Sequence, residues 1–233
     1  MAIFYAPEIL NTPLLPEEES LHCCKVLRLK EGEMISIIDG VGGLFSARIV
    51  VSHPKRTEVE ILDKKFYPKK SFGIHIAIAP TKNMDRMEWF LEKATEIGVD
   101  EITPLLCSHS ERKQVNAERM LKILVSATKQ SKNMFLPRLN PLCPFEEFVM
   151  KAQAEGKFIA HCVDTDKKPL LNNCPKNKNV IVLIGPEGDF SKDEVELARE
   201  NGFVPVSLGE ARLRTETAAI VACHTIQLIN QMK

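Results

Sequence analysis

Ile184–Ser191 reads IGPEGDFS. The apolar stretch NVIVLIG runs into it from Asn179, and Lys192 opens a helix-like segment straight after it. A chain that leaves a buried strand, turns through two glycines around a proline and a carboxylate, and begins a helix at once presents backbone groups rather than side chains. Gly185 and Gly188 allow close approach and unusual backbone angles. Pro186 stiffens the turn. Ser191 and Glu194 form an S-x-x-E capping box, which starts the next helix firmly, and Asn201 and Gly202 end it. The spacing is neither a phosphate-binding G-x-x-x-x-G-K-[ST] loop nor a dinucleotide G-x-G-x-x-G. On these residues alone, a plain tight β–α turn and a ligand loop both remain open.

A second loop follows about twenty residues later. Ser207–Ile220 reads SLGEARLRTETAAI. A strand ends at Leu208 and Gly209, a short loop carries Arg212 and Arg214, and TET opens the last helix. A helix amino terminus stabilises the anion of Glu216. The final helix, Glu216–Met232, has one apolar stripe of Ala219, Ala222, Ile226 and Ile229, and a second of Val221, Thr225, Leu228 and Met232. Apolar residues on two sides fit either a subunit interface or a central core helix.

Working outward, strands and helices alternate from about residue 71. GIHIAIAP, DEITPLL, KFIAHCV, NVIVLIG and FVPVSLG read as short strands. Between them lie three amphipathic helices. One is DRMEWFLEKATEIG, with Met87, Phe90, Leu91, Ala94 and Ile97 on one face and Gly98 at its end. The second is NAERMLKILVSATKQ, capped by Asn116, with Met120, Leu121, Leu124, Ala127 and Thr128 on one face. The third is PFEEFVMKAQAEG, from Pro144 to Gly156. Such alternation implies a mostly parallel sheet covered on both faces. Ligands of such sheets bind beyond the carboxyl ends of the strands, where both loops lie.

Residues 1–70 read differently. GEMISIIDG and GLFSARIVV are strand-like around a GVGG turn, TEVEILDKK alternates with period two, and EEESLHCCKVLRL is a short helix. The expectation is a small β-barrel, joined by the lysine-rich linker KKFYPKKS (Lys64–Ser71) to a second domain over residues 71–233. Lysine and arginine number 31, as do aspartate and glutamate, so any nucleic-acid contact must rest on local patches. Seven scattered cysteines without a C-x-x-C pair argue against a disulfide framework and a zinc site. The six histidines have no metal-like spacing, and no metal is expected. The opening MAIFYAPEIL lacks the basic and long apolar stretches of a signal peptide. With no membrane-length apolar run, the expectation is a soluble cytoplasmic protein with no membrane partner.

IGPEGDFS followed by LGEARLRTETAA resembles the paired signature of the 16S ribosomal RNA uridine-N3 methyltransferases, which belong to the knotted SPOUT class. HCCKVLRLKEGE resembles that family's PUA-like amino-terminal segment. TKNMDRMEWFLEKATEIGVDEITPL resembles its first strand-to-helix stretch, with Lys82, Lys93, Glu96 and Gly98 at matching places, and ATKQSKNMFLPRL resembles a later one. The family more often has glycine where Asp189 stands, often arginine at Ala211 with an aliphatic residue at Arg212, and commonly arginine at Lys132. The resemblance implies an α/β fold: a PUA-like, RNA-binding β-barrel over residues 1–70, then a SPOUT domain over 71–233 with a carboxyl-terminal trefoil knot. General rules of chain topology would instead give an unknotted sheet.

The resemblance also implies S-adenosylmethionine as cofactor and methylation of base N3 of a uridine in 16S rRNA of the small ribosomal subunit, by a homodimer. Leu183, Ile184, Leu208 and Leu213 would wall the cofactor, Gly185 and Gly209 would give it approach, and Glu187 would hold a ribose hydroxyl or the cationic end. Pro186, Gly188 and Thr215 complete the two loops, and a further loop after KFIAHCV is a possible contributor. Arg214 is the candidate cation for the uracil anion and Glu216 the candidate base. Lys25, Arg28, Lys30, Lys82, Arg86, Lys132 and Arg138 are candidate RNA contacts. Two rival readings stay open: a SPOUT enzyme acting on another RNA or a ribose 2′-hydroxyl, and a non-catalytic ribosome-assembly factor with a relic pocket.

Overall fold

The computed structural model describes residues 2–162 and 167–232, so the part of the loop after KFIAHCV that spans 163–166 lies outside the described residues. The chain divides into two compact units. One comprises residues 1–69 with 125–136, and the other residues 70–124 with 137–233.

In the first unit, β1 (Ile3–Tyr5) is followed by α1 (Glu17–Leu21), which runs on as a π-helical turn over His22–Val26. Then come β2 (Met34–Ile38), β3 (Gly43–Val51) and β4 (Glu58–Phe66). They form one sheet in the order β1-β2-β3-β4. The β1–β2 pair is parallel and the other two pairs are antiparallel. The expected barrel does not close. Among the described residues β1 and β4 are not paired, and only the isolated bridge Leu14↔Glu58 brings the chain after β1 back to β4. The inward side chains Phe4, Ile35, Ile37, Phe45, Ala47 and Val59 make its core. Because β4 continues to Phe66, the first three residues of the lysine-rich stretch are strand rather than linker.

The second unit begins with β5 (Ile74–Ile78), α2 (Met84–Ile97), β6 (Glu101–Leu106), α3 (Ala117–Ser131, of which only 117–124 belong to this unit), β7 (Arg138–Leu139), β8 (Cys143–Pro144) and α4 (Phe145–Lys151). It goes on through β9 (Gly156–Ala160), β10 (Lys168–Pro169), α5 (Leu170–Asn173), β11 (Val180–Ile184), α6 (Lys192–Glu200), β12 (Val204–Ser207) and α7 (Thr215–Gln231). The sheet order is β10-β12-β9-β11-β5-β6-β7, with β8 on β6, and every pairing is parallel. All five residues of β11 are buried, as a strand covered on both faces requires. α7 packs on α2, β5 and β11. No helix among the described residues is long and apolar enough to cross a membrane.

Three sequence expectations need correction. Leu121 is 43% exposed while Met120 and Leu124 are buried, so the apolar stripe of α3 is narrower than its spacing suggests. The third helix stops at Lys151 rather than running to Gly156, which opens β9. In α7 the first stripe is core through Ala219, Ala222 and Ile226, whereas Leu228 and Met232 of the second are exposed.

Phe90 has no exposed surface. Phe90→Ala is therefore expected to cost roughly 3–5 kcal/mol, and Leu121→Ala less than about 1 kcal/mol, read as shifts in urea midpoint. A larger loss for Leu121 would contradict the narrow stripe.

Two histidines make stability pH-dependent. Burial lowers the pKa of His75, and Glu101, 4.0 Å from its Nδ1, partly opposes this. Burial also lowers that of His161, with help from the Lys167 charge. Both folded pKa values thus lie below the unfolded value of about 6.5. Above that pH both states are neutral and stability is full. Below it the unfolded chain takes up protons first, and stability falls until the folded pKa is passed. Urea midpoints should be flat between about pH 7 and 8 and fall towards about pH 5.5, with a shallower fall in the variant carrying His75→Gln and His161→Gln. An equally steep fall in that variant would refute the assignment.

Candidate active site

Three strands end side by side. Ala160 of β9 is paired with Ile184 of β11 and with Val206 of β12. Beyond these ends lie two adjoining recesses of about 440 and 260 Å³, which share Ala160, Cys162, Arg212, Leu213 and Ala218. The larger is otherwise walled by Val206–Ala211 and the strand-end residues His161 and Lys167. The smaller is walled by Ile184–Glu187, Asp189, Arg214 and Thr215. IGPEGDFS and SLGEARLRTET thus face one cleft, of a volume that suits a nucleoside-sized ligand.

Local chemistry fixes both loops. Ser191 and Glu194 form the capping box: Ser191 Oγ accepts from Glu194 N at 3.1 Å, and Glu194 Oε2 accepts from Ser191 N at 2.8 Å. The other oxygen of this buried carboxylate accepts from Ser108 N at 2.7 Å. Two charge-assisted bonds to backbone amides compensate for its burial. At Gly185 an added Cβ would stand 3.2 Å from the Phe190 ring and from its backbone nitrogen, so any larger residue would have to push Phe190 aside by a few tenths of an ångström. Gly209 has φ +137° with open space where a side chain would be. Thr215 Oγ1 donates to Gly185 O at 3.0 Å and ties the start of α7 to the first loop.

The candidate cofactor residues separate. Ile184, Gly185, Pro186, Glu187, Leu208, Gly209, Leu213 and Thr215 line the cleft. Leu183 is fully buried in the core behind it. Gly188 turns its carbonyl to His109 Nδ1 at 3.1 Å, away from the lining. The Glu187 carboxylate accepts from Lys82 N at 2.9 Å. Arg214 is exposed, lines the smaller recess and precedes α7. Glu216 does not line either recess. It is 7% exposed, and its Oε1 stands 3.9 Å from Arg86 Nε.

The candidate RNA contacts fall in both units. Lys25, Arg28, Lys30 and Lys132 are exposed in the first unit, and none forms an ion pair among the described residues. In the second unit Lys82 is paired with Glu111 at 2.7 Å, which raises its pKa, and Arg138 is exposed on β7. Among the described residues no group of three or more histidine, cysteine, aspartate or glutamate side chains could hold a metal ion.

Sequence reasoning pointed to a loop after KFIAHCV but to none of the residues of that stretch itself. Ala160, His161 and Cys162 carry no motif, and only the strand order brings them to the cleft. His161 is buried, and neither ring nitrogen is hydrogen-bonded among the described residues. In the sequence Asp189 is only a departure from glycine, yet it has φ +63° and its carboxylate has two backbone partners.

A family profile described as RNA methyltransferase domain matches residues 68–227, and one described as RNA methyltransferase PUA domain matches residues 15–62. Ribosomal RNA small subunit methyltransferase E of Synechocystis sp. is 30% identical over 96% of this chain and 76% of its own. The protein of that name from Rickettsia conorii is 28% identical over 92% of this chain and 89% of its own. Among solved structures, a probable rRNA-methyltransferase from Porphyromonas gingivalis is 41% identical, with a TM-score of 0.90 over 98% of this chain and 99% of that one. The ribosomal RNA small subunit methyltransferase E of Neisseria gonorrhoeae, bound to S-adenosyl methionine, is 29% identical, with a TM-score of 0.84 over 99% of this chain and 98% of that one. The cleft lies wholly within the segment matched by the methyltransferase profile, and the chain belongs to the RNA methyltransferase family that includes ribosomal RNA small subunit methyltransferase E.

Proposed function

We propose that the protein is a cytoplasmic methyltransferase that uses S-adenosylmethionine to methylate base N3 of a uridine in 16S rRNA of the small ribosomal subunit. The observation that carries this reading is the single cleft made by both glycine loops and joined by the Thr215–Gly185 bond. The residues fit the cofactor. Ile184, Leu208 and Leu213 offer apolar walls, and Gly185 and Gly209 keep side chains out of the way. Glu187 offers a carboxylate for hydroxyls or a cation. S-adenosylmethionine supplies, when bound, an electrophilic methyl group on a sulfonium.

The protein must then make uridine N3 a nucleophile and align it. N3 carries a proton and is weakly acidic, so negative charge develops on the uracil as that proton leaves. Arg214 places a cation at the smaller recess, where it stabilises that charge. Glu216 is a poorer candidate for the base than its sequence position suggests. Its carboxylate is buried beside Arg86 at the start of α7 and lines neither recess of the cleft. Its role is to hold Arg86. The exposed cations of the first unit, Lys25, Arg28, Lys30 and Lys132, serve as phosphate contacts in a PUA-like RNA-binding domain, and Lys82 and Arg138 do so in the second. The carboxyl-terminal segment of the second unit carries the SPOUT trefoil knot, a reading supported by the β12–α7 loop, which is tied to the β11 loop through Thr215.

The test offers labelled S-adenosylmethionine to small subunits lacking the modification and to naked 16S rRNA, with products mapped by mass spectrometry. N3-methyluridine is the expected product. A 2′-O-methyl product or no transfer would overturn the reading. Arg214→Ala should lower kcat by about 10²–10³-fold, while cofactor affinity changes by less than about threefold.

Leu228 on α7 and Met232 just past its end, both exposed, support a homodimer built on that helix. A variant carrying Leu228→Asp and Met232→Asp should run as a monomer in light scattering where the wild type runs as a dimer. A monomeric wild type with full activity would remove the dimer from the account.

A further inference from the structure

We propose that Asp189 is a positioning residue whose carboxylate locks the cofactor loop onto the end of β9 and so holds the cleft in its binding shape. This inference rests on the functional reading above and deepens it. Asp189 is one of four non-glycine described residues with a left-handed backbone, at φ +63°. L-residues reach that region at a steric cost, which asparagine and aspartate bear best and glycine does not bear at all. Loop flexibility alone would therefore favour glycine here. What an aspartate adds is its carboxylate, and every polar atom of the residue is in use.

The amide of Asp189 donates to Pro186 O at 2.9 Å and closes the turn. Its carbonyl stands 3.0 Å from His109 Nδ1, which also reaches Gly188 O and so donates from the loop after β6. Its Oδ1 accepts from Phe190 N at 2.9 Å, which sets the Phe190 ring into the core against Phe145. Its Oδ2 accepts from Cys162 N at 2.7 Å, two residues beyond the end of β9. One residue thus joins segments that follow β6, β9 and β11. Asp189 and Cys162 both line the smaller recess, so the bond between them forms part of its wall. An ionised acceptor holding two backbone donors makes a stronger tie than a neutral one. Nothing in this arrangement touches the reacting atoms. The expected consequence is a pre-shaped cleft, felt in cofactor affinity rather than in the methyl-transfer step.

Two variants separate the carboxylate from the backbone. Asp189→Gly removes the steric cost and the carboxylate together, and Asp189→Asn keeps the left-handed turn and one acceptor oxygen. The first readout is amide exchange by NMR in the ligand-free protein. The Cys162 and Phe190 amides should exchange at least about tenfold faster in Asp189→Gly, with protection of Cys162 largely kept in Asp189→Asn. The second readout is calorimetric affinity for S-adenosylmethionine together with kcat on small subunits. Asp189→Gly should weaken affinity by about tenfold and change kcat by less than about threefold, and Asp189→Asn should recover most of the affinity. Unchanged exchange in Asp189→Gly overturns the lock, whether or not the wild type binds the cofactor. Faster exchange with unchanged affinity overturns its role in the cleft, as does an equal loss in both variants. A wild type that binds no S-adenosylmethionine would sink the functional reading instead, and the exchange experiment would still judge the lock.

Discussion

The parallel register across β9, β11 and β12 is the constraint on which the site depends. It sets Ile184, Ala160 and Val206 in one row, so three chain segments leave the sheet at the same level. A parallel sheet fixes this level because its strands all point one way, and the helices that return the chain cover both faces. The cleft is what remains between the departing segments. Its shape then depends on short polar ties: the Ser191–Glu194 box, the Thr215–Gly185 bond and the Asp189–Cys162 bond. Each joins backbone to a side chain that is short or buried, so little side-chain freedom is left to lose on binding.

Charge follows the same economy. The chain is neutral in total, yet its cations are unevenly engaged. Lys82, Arg86 and Arg119 in the second unit each face a carboxylate, from Glu111, Glu216 and Glu88. Lys25, Arg28 and Lys30 lie within six residues in the first unit and are exposed. A neutral protein can therefore present a local positive patch, which is what phosphate contacts need. Arg214 is different again, because it is exposed at the smaller recess of the cleft.

Much of the second unit was legible because local signals agreed with one another. A period-3.6 stripe and a glycine end located α2, and the capping box at Ser191 and Glu194 that starts α6 is present as read. What was not legible is what depends on distant partners. Leu121 looked like core from spacing alone, but side-chain burial is set by what lies opposite, and it stays 43% exposed. The helix after Pro144 was read too long because its polar tail keeps helical spacing while Gly156 is already claimed by β9. The barrel was inferred from three strand-like stretches, whereas closure needs a pairing between β1 and β4 that is not made among the described residues. The contributions of His109, His161 and Cys162 come from the order of strands in the sheet, which no local pattern encodes. Asp189 shows the converse. Its identity was visible, but its purpose appears only with the Cys162 amide beside it.

The most direct test of the central claim, that the two glycine loops build one S-adenosylmethionine site, is a crystal structure of the protein with that molecule bound. The account predicts the ligand in the cleft beyond β9, β11 and β12, in contact with Gly185–Glu187 and with Leu208–Leu213, and with its methyl group directed towards Arg214. Binding elsewhere on the chain, or contact with only one of the two loops, would contradict it.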